Sequence, residues 1–207
     1  MKRVDGFWYP DSEERLHRNH SSLWTPEKHI LPHISNKGTV IQAGGAVGAW
    51  PITYAQHFDV VHSFEPNPVL WECFRRNVDE YEADIYMYHM GLSNRIGTCS
   101  MVDVQSNNMG AWHITPDESS QTPMAPLDSL GFSECDLLQL DVEGGEIDAL
   151  EGAEKTIFRC RPIIVVEVKP ATLRAFNRTT EQLYRVLRKL RYKLTDKFAR
   201  DELWTPY

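Results

Sequence analysis

Three glycines, Gly44, Gly45 and Gly48, follow the apolar run TVIQA, and a glutamate, Glu65, closes the next apolar run, VVHSF. Glycine weakens any strand or helix that contains it, yet it lets the chain turn sharply and lets a ligand approach the main chain. A carboxylate about 20 residues beyond such a turn is placed to accept hydrogen bonds from both hydroxyls of a ribose. Further along, LDVEGGE gathers Asp141, Glu143 and Glu146 behind another apolar run, and Glu167 stands two residues before Lys169 behind a third. Asp141, with Glu143 beside it, is the candidate catalytic pair: a carboxylate there can take the proton of an acceptor hydroxyl or stabilise a positive charge. Glu143 and Glu146 also suit the start of a helix, where negative charge is favourable. Glu167 and Lys169 read equally well as an ion pair or as a substrate contact.

These residues need a scaffold that brings strand ends together. TVIQA (39 to 43), VVHSFEP (60 to 66), a third strand within DIYMYHMGLSN ending near residues 89 to 92, CDLLQLDV (135 to 142) and RPIIVVEV (161 to 168) read as strands. CDLLQLDV is almost wholly apolar, as a strand covered on both faces should be. Between them WPITYAQHF reads as a helix, as does VLWECFRRNVDEY behind its cap Asn67 and first-turn Pro68. GGEIDALEGAEKTIF is expected to form one helix, and Thr179 with Gln182 forms a capping box before LYRVLRKL. YKLTD and LWTPY are expected as two last strands. Alternating strands and helices imply a parallel sheet covered on both sides, with ligands beyond the carboxyl ends of its strands. Gly44, Glu65, Leu92, Asp141 and Glu167 all fall at such ends.

Nicotinamide and adenosylmethionine enzymes both fit this order of elements. A dinucleotide loop requires G-x-G-x-x-G, and counted from Gly44 the third and sixth positions are Ala46 and Ala49. The fingerprint is broken. The set VIQAGGAVGAW, SFEPNP, GLSN, LLQLDVEGGEIDALEGA and RPIIVVEV, in that order, resembles the FkbM family of S-adenosylmethionine-dependent methyltransferases. The resemblance implies an α/β, Rossmann-like class I methyltransferase fold with a mostly parallel seven-stranded sheet, and methyl transfer to an oxygen of a sugar or other small natural product. It also implies a cofactor site in which Gly44, Gly45 and Gly48 line the methionine and ribose end and Glu65 holds the ribose. Asn67 and the turn at Gly91, Leu92 and Ser93 would edge the adenine, and Asp141 would lie where cofactor meets acceptor. The family commonly begins its loop D-x-G-A-N-x-G, whereas this chain has Gln42 and Ala46 at the acid and asparagine positions. Gln42 can donate and accept hydrogen bonds but carries no charge.

Composition bounds the alternatives. With 207 residues, 42% of them hydrophobic, the chain suits one domain: residues 37–207 as the methyltransferase domain and residues 1–36 as an N-terminal lid or helical extension. A net charge of -7 argues against a broad nucleic-acid surface. Nothing approaches the roughly 20 apolar residues of a membrane span. The start MKRVDGFWYP lacks an apolar leader core, so a cytoplasmic protein is expected. Cys73, Cys99, Cys135 and Cys160 show no paired spacing and read as reduced residues. His17 and His20 lack a matching ligand set, so no metal is expected. The segment QSNNMGAWHIT (105 to 115) suits either a loop closing over a site or a surface hairpin. The rival functions are a cofactor-binding module without turnover, suggested by Gln42 and Ala46, and an NAD-dependent oxidoreductase.

Overall fold

The computed structural model describes residues 1–13, 15–16, 25–103 and 108–207. Within them the first half of the chain runs β1 (Lys2–Val4), β2 (Phe7–Tyr9), α1 (Pro26–His29), β3 (Thr39–Ala43), α2 (Ala49–Tyr54), β4 (Val60–Phe64), α3 (Pro68–Asp79), β5 (Ile85–Tyr88), β6 (Gly91–Leu92) and β7 (Gly97–Val102). It continues with β8 (His113–Pro116), β9 (Thr122–Ala125), β10 (Leu137–Leu140), α4 (Glu146–Glu151), α5 (Glu154–Cys160), β11 (Ile163–Glu167), α6 (Pro170–Ala175), α7 (Thr180–Lys189), β12 (Tyr192–Phe198) and β13 (Asp201–Pro206).

Seven strands form the main sheet in the order β12-β13-β11-β10-β3-β4-β5. The five strands from β11 to β5 are parallel, while β13 runs antiparallel to β11 and β12 antiparallel to β13. Every residue of β3, β10 and β11 is buried, because apolar side chains alternate between two cores. Ile41, Ala43, Leu138, Leu140 and Val166 enter one, and Val40, Leu137 and Val165 enter the other beside Trp50 and Tyr54. Strand order reverses between β3 and β10, which is where a parallel sheet of this kind opens a crevice.

Register does the positioning. Ala43 lies opposite Phe64 on one side and Leu140 on the other. Pairing continues one residue further: Gly44 N–H donates to Phe64 O (3.0 Å), Asp141 N–H to Ala43 O (3.0 Å) and Glu65 N–H to Tyr88 O (3.0 Å). Three residues far apart in sequence therefore emerge side by side at one edge of the sheet.

The structure corrects two expectations. The third strand does not run on to Leu92: β5 stops at Tyr88, and Gly91 and Leu92 leave to pair with Met124 and Ala125 in a second sheet, ordered β6-β9-β7-β8. The single helix expected after Gly144 and Gly145 is two helices, α4 and α5, parted at Gly152. A Cβ on Gly152 would lie 2.0 Å from the carbonyl oxygen of Ser93, so this backbone is packed against other backbone. Asp128 then caps α5 from outside, its carboxylate accepting from Lys155 N–H (2.8 Å) and Thr156 N–H (2.8 Å).

Residues 1–36 open with the β1–β2 hairpin. It is fixed to α3 by Asn77, whose side chain accepts from Trp8 N–H (2.7 Å) and donates to Val47 O (2.8 Å), at the glycine turn. His17, His20 and Trp24, and residues 105–107 of the QSNNMGAWHIT segment, lie outside the described residues.

Candidate functional site

The glycine turn is built around one close approach. Gly44 adopts φ +91°, and a Cβ there would stand 1.9 Å from the carbonyl oxygen of Asp141. Both the backbone angle and the contact exclude a side chain. Gly48, at φ +96°, turns the chain into α2 and packs on Phe74 rather than facing the crevice. Gln42 is fully buried beneath the turn. Its Nε2 donates to Gly44 O (2.9 Å) and its Oε1 accepts from the Ser63 hydroxyl. Both ends of the amide are committed, so Gln42 holds the turn from below.

Glu65 is 4% exposed. One carboxylate oxygen accepts from Ala46 N–H (2.7 Å) and the other from Asn67 N–H (2.7 Å). Burial pushes the carboxyl up to about 7, although the two backbone donors pull the other way. Each oxygen keeps a lone pair for a further donor. Asn67 itself caps α3, its Oδ1 accepting from Val69 N–H (2.9 Å).

Asp141 stands half-buried at the end of β10. The chain then turns through two left-handed residues, Glu143 (φ +52°) and Gly144 (φ +108°). A glutamate in that region is uncommon and carries a strain of order 1 kcal/mol. Its geometry brings Glu143 back toward Glu167, so that one oxygen each of Asp141, Glu143 and Glu167 lie within 4.8 Å of one another. Lys169 Nζ donates to Glu143 Oε1 (2.7 Å) and pairs with Glu167 Oε1 (2.8 Å). Burial, reinforced by the charge of Asp141, raises both glutamates above their ordinary value, while the Lys169 ammonium between them pulls both the other way. Burial works against the Lys169 ammonium, but the charges of Asp141, Glu167 and Glu143 outweigh it and hold the group above its ordinary value. Glu146 faces the turn instead: it accepts from Gly144 N–H (3.0 Å), and burial pushes it up to about 7.

One cavity of about 760 Å³ joins the two ends. Of the sequence-derived candidates, Gly44, Gly45, Glu65, Leu92, Asp141 and Glu143 line it, whereas Gln42, Gly48, Asn67 and Ser93 do not. Its volume falls in the range of small-molecule and cofactor sites, roughly 300–1,000 Å³. The wall also includes Met109, Trp112 and Ile114, from the segment 105 to 115 that reads as a loop over a site or a surface hairpin, and Arg200 from the β12–β13 turn, which sequence reasoning did not place there. Glu13, fully buried, ties this roof to the N-terminal segment, accepting from Met109 N–H (2.7 Å) with one oxygen and Leu16 N–H (2.8 Å) with the other. Its only sequence signal was an acid among aromatic residues ahead of the first core strand.

A family model described as the methyltransferase FkbM domain matches residues 43–194. Among solved structures, a methyltransferase FkbM from Methylobacillus flagellatus KT superposes with a TM-score of 0.55 at 17% identity, over 90% of this chain and 47% of that one. The chain thus spans about half the length of that protein. A precorrin-6y C5,15-methyltransferase from Geobacter metallireducens GS-15 gives a TM-score of 0.55 at 12% identity, covering 97% of this chain and 93% of the other. A TehB-like SAM-dependent methyltransferase from Corynebacterium glutamicum gives 0.53 at 10% identity, covering 92% and 94%. At these identities the likeness is one of fold. A search of curated proteins gave no match. Among the described residues no helix is long and apolar enough to cross a membrane.

Proposed function

The chain belongs to the FkbM methyltransferase family, whose cofactor is S-adenosylmethionine, and from that premise we propose that it methylates an oxygen of a small acceptor, a saccharide or similar hydroxylated natural product. One observation carries the reading: a single cavity runs from a backbone-built turn beside Glu65 to a half-buried carboxylate, Asp141. When bound, the cofactor supplies a methyl group activated by a sulfonium. The chain's own residues have the remaining tasks of holding, orienting and managing one proton.

The cofactor end suits an adenosyl group. Gly44 and Gly45 present bare backbone, Glu65 keeps two lone pairs for ribose hydroxyls, and Leu92 offers an apolar edge to a base. At the other end Asp141 accepts the acceptor's hydroxyl proton: the O–H bond breaks, the proton passes to the carboxylate, and the electron pair stays on the acceptor oxygen. Glu143 acts beside it through Lys169. In this reading residues 37–207 are the catalytic domain and residues 1–36 cover it, with Glu13 fastening the cover.

The test is calorimetry with S-adenosylmethionine, S-adenosylhomocysteine and NAD, followed by transfer of labelled methyl to methyl glycosides, phenols, carboxylates and amines. We expect both adenosyl compounds to bind, NAD not to bind, and label to appear in ethers. Asp141→Asn should lower transfer by roughly 100-fold or more, the usual weight of a general base, with cofactor affinity held within about threefold. Binding of NAD alone would favour an oxidoreductase. Adenosyl binding without transfer to any acceptor would favour a module that has lost turnover, and label in esters or amines would refute the oxygen-ether assignment.

A further inference from the structure

Asp141, Glu143 and Glu167 converge from the ends of two neighbouring strands, and one oxygen from each lies within 4.8 Å of the others. Three such carboxylate oxygens are what a hard divalent ion takes as ligands. Lys169, two residues beyond β11, folds its ammonium back among them, at 2.7 Å from Glu143 and 2.8 Å from Glu167. We propose that Lys169 is a built-in cation occupying the seat that this triad would otherwise offer a divalent ion, and that it binds the acceptor hydroxyl there. The proposal rests on the methyltransferase reading for its second half only.

Electrostatics favour one cation in that seat. An ammonium and a metal ion a few ångströms apart in a half-buried site repel strongly, so the seated lysine closes the triad to metal. Three carboxylates hold it charged against the cost of burial. Arg200 also acts on Glu143 from the β12–β13 turn, and Asp201 stands on the same wall. Among the described residues the second oxygens of Glu143 and Glu167 are buried without a hydrogen-bond partner, so the cluster still carries more acceptor capacity than its one lysine uses.

The geometry also assigns work to the remaining proton. An ammonium has three N–H donors and no acceptor. Two go to Glu143 and Glu167, and the residue forms part of the cavity wall. Asp141 is the member of the triad that Lys169 does not bond. A hydroxyl placed between them accepts from Lys169 Nζ and donates to Asp141, and the ammonium stabilises the negative charge that grows on its oxygen. That pairing selects a neutral alcohol or phenol. A carboxylate acceptor would meet Asp141 as a like charge and has no proton to give it.

The test is Mn²⁺ binding followed by electron paramagnetic resonance near pH 7.5, with neither cofactor nor acceptor present. Wild type should bind no Mn²⁺ up to about 1 mM, the weak limit of carboxylate sites. Lys169→Met should gain one site below that concentration, and adding Asp141→Asn should remove it. Lys169→Arg keeps a cation in place and should gain none, which guards against a general effect of substitution. With methyl glycosides as acceptors, Lys169→Met should lower kcat at least 100-fold while calorimetric affinity for S-adenosylmethionine stays within about threefold, and Lys169→Arg should recover part of the rate. Mn²⁺ binding by wild type, or none by the Met variant, overturns the proposal. So does a Met variant with unaltered kcat. Because Mn²⁺ binding needs no cofactor, this result stands even if the chain fails to bind S-adenosylmethionine, the outcome that would sink the methyltransferase reading instead.

Discussion

The two ends of the cavity are made of different material. Beside the glycine turn the wall is main chain, with one acid, Glu65, already fastened by two backbone N–H groups. At the far end it is charged side chain: Asp141, Glu143, Glu167 and Lys169, held by one another more than by the backbone. The first end depends on where the chain cannot carry a Cβ. The second depends on which charges sit at strand tips that would stand in the same place with other residues. A shared sheet can therefore keep one ligand while the chemistry opposite it is exchanged.

The largest effect should come from the point where the two ends touch. Gly44→Ala would set a Cβ 1.9 Å from the Asp141 carbonyl oxygen, in a backbone conformation at φ +91° that alanine resists. Neither partner can yield cheaply, because both are main chain at the switch point of the sheet. We expect affinity for S-adenosylmethionine to fall by about 100-fold or more, with roughly 3 kcal/mol of stability lost, as for other substitutions that force special backbone out of place. Calorimetry and urea unfolding measure the two. An affinity within about threefold of wild type would mean that the cofactor end is not built on backbone.

Next in size is Glu65. Burial moves its carboxyl from the ordinary value of 4.5 to about 7. The folded value lies above the unfolded one, so the protonated acid favours the fold. That contribution is complete below about pH 4.5 and is lost as pH rises through 7, on the order of 3 kcal/mol across the window. Ribose hydroxyls need the ionised form as acceptor, so affinity for S-adenosylmethionine should be flat above pH 7 and fall below it by up to about tenfold per unit. Glu146 shifts in the same direction, so the comparison that isolates Glu65 is with Glu65→Gln. This variant should bind about tenfold more weakly at pH 8, the lower end for a lost charge-assisted hydrogen bond, and its profile should lose the acid limb. An unchanged limb would move the titration to the acceptor end.

Legibility followed the same division. The main strands could be read because each is a short apolar run, and parallel pairing at matched register then fixed Gly44, Glu65 and Asp141 beside one another. What escaped depended on contacts between distant segments. The break at Gly152 is set by the Ser93 carbonyl and by Asp128 capping α5 from 26 positions before Glu154 in sequence, neither of which shows in a local helical pattern. Gln42 could be read as a cofactor contact until Ser63, on the adjacent strand, drew its amide downward. Glu167 and Lys169, open in the sequence between an ion pair and a substrate contact, do pair, but the second partner, Glu143, was not readable, because the left-handed turn that brings it in leaves no trace in LDVEGGE beyond its glycines.

The smallest expected effect sharpens the comparison by touching neither end. Thr179 caps α7 in a reciprocal box: its hydroxyl accepts from Gln182 backbone N–H (3.2 Å) and the Gln182 side-chain Oε1 accepts from Thr179 backbone N–H (2.8 Å). Leu183 and Leu187 of this helix pack into the core that also receives Ile41, Leu138 and Leu140, behind the sheet from the strand tips. Thr179→Ala should cost about 1 kcal/mol, read as a lower urea midpoint at unchanged slope. Its affinity for S-adenosylmethionine, pH profile and indifference to Mn²⁺ should match wild type, since a cap on an outer helix weakens the scaffold without moving strand register. If the same loss of stability also shifted cofactor affinity by more than about threefold, the changes seen at Gly44 and Glu65 could be ascribed to a loosened scaffold. The distinction between a backbone-built end and a charge-built end would then lose its support.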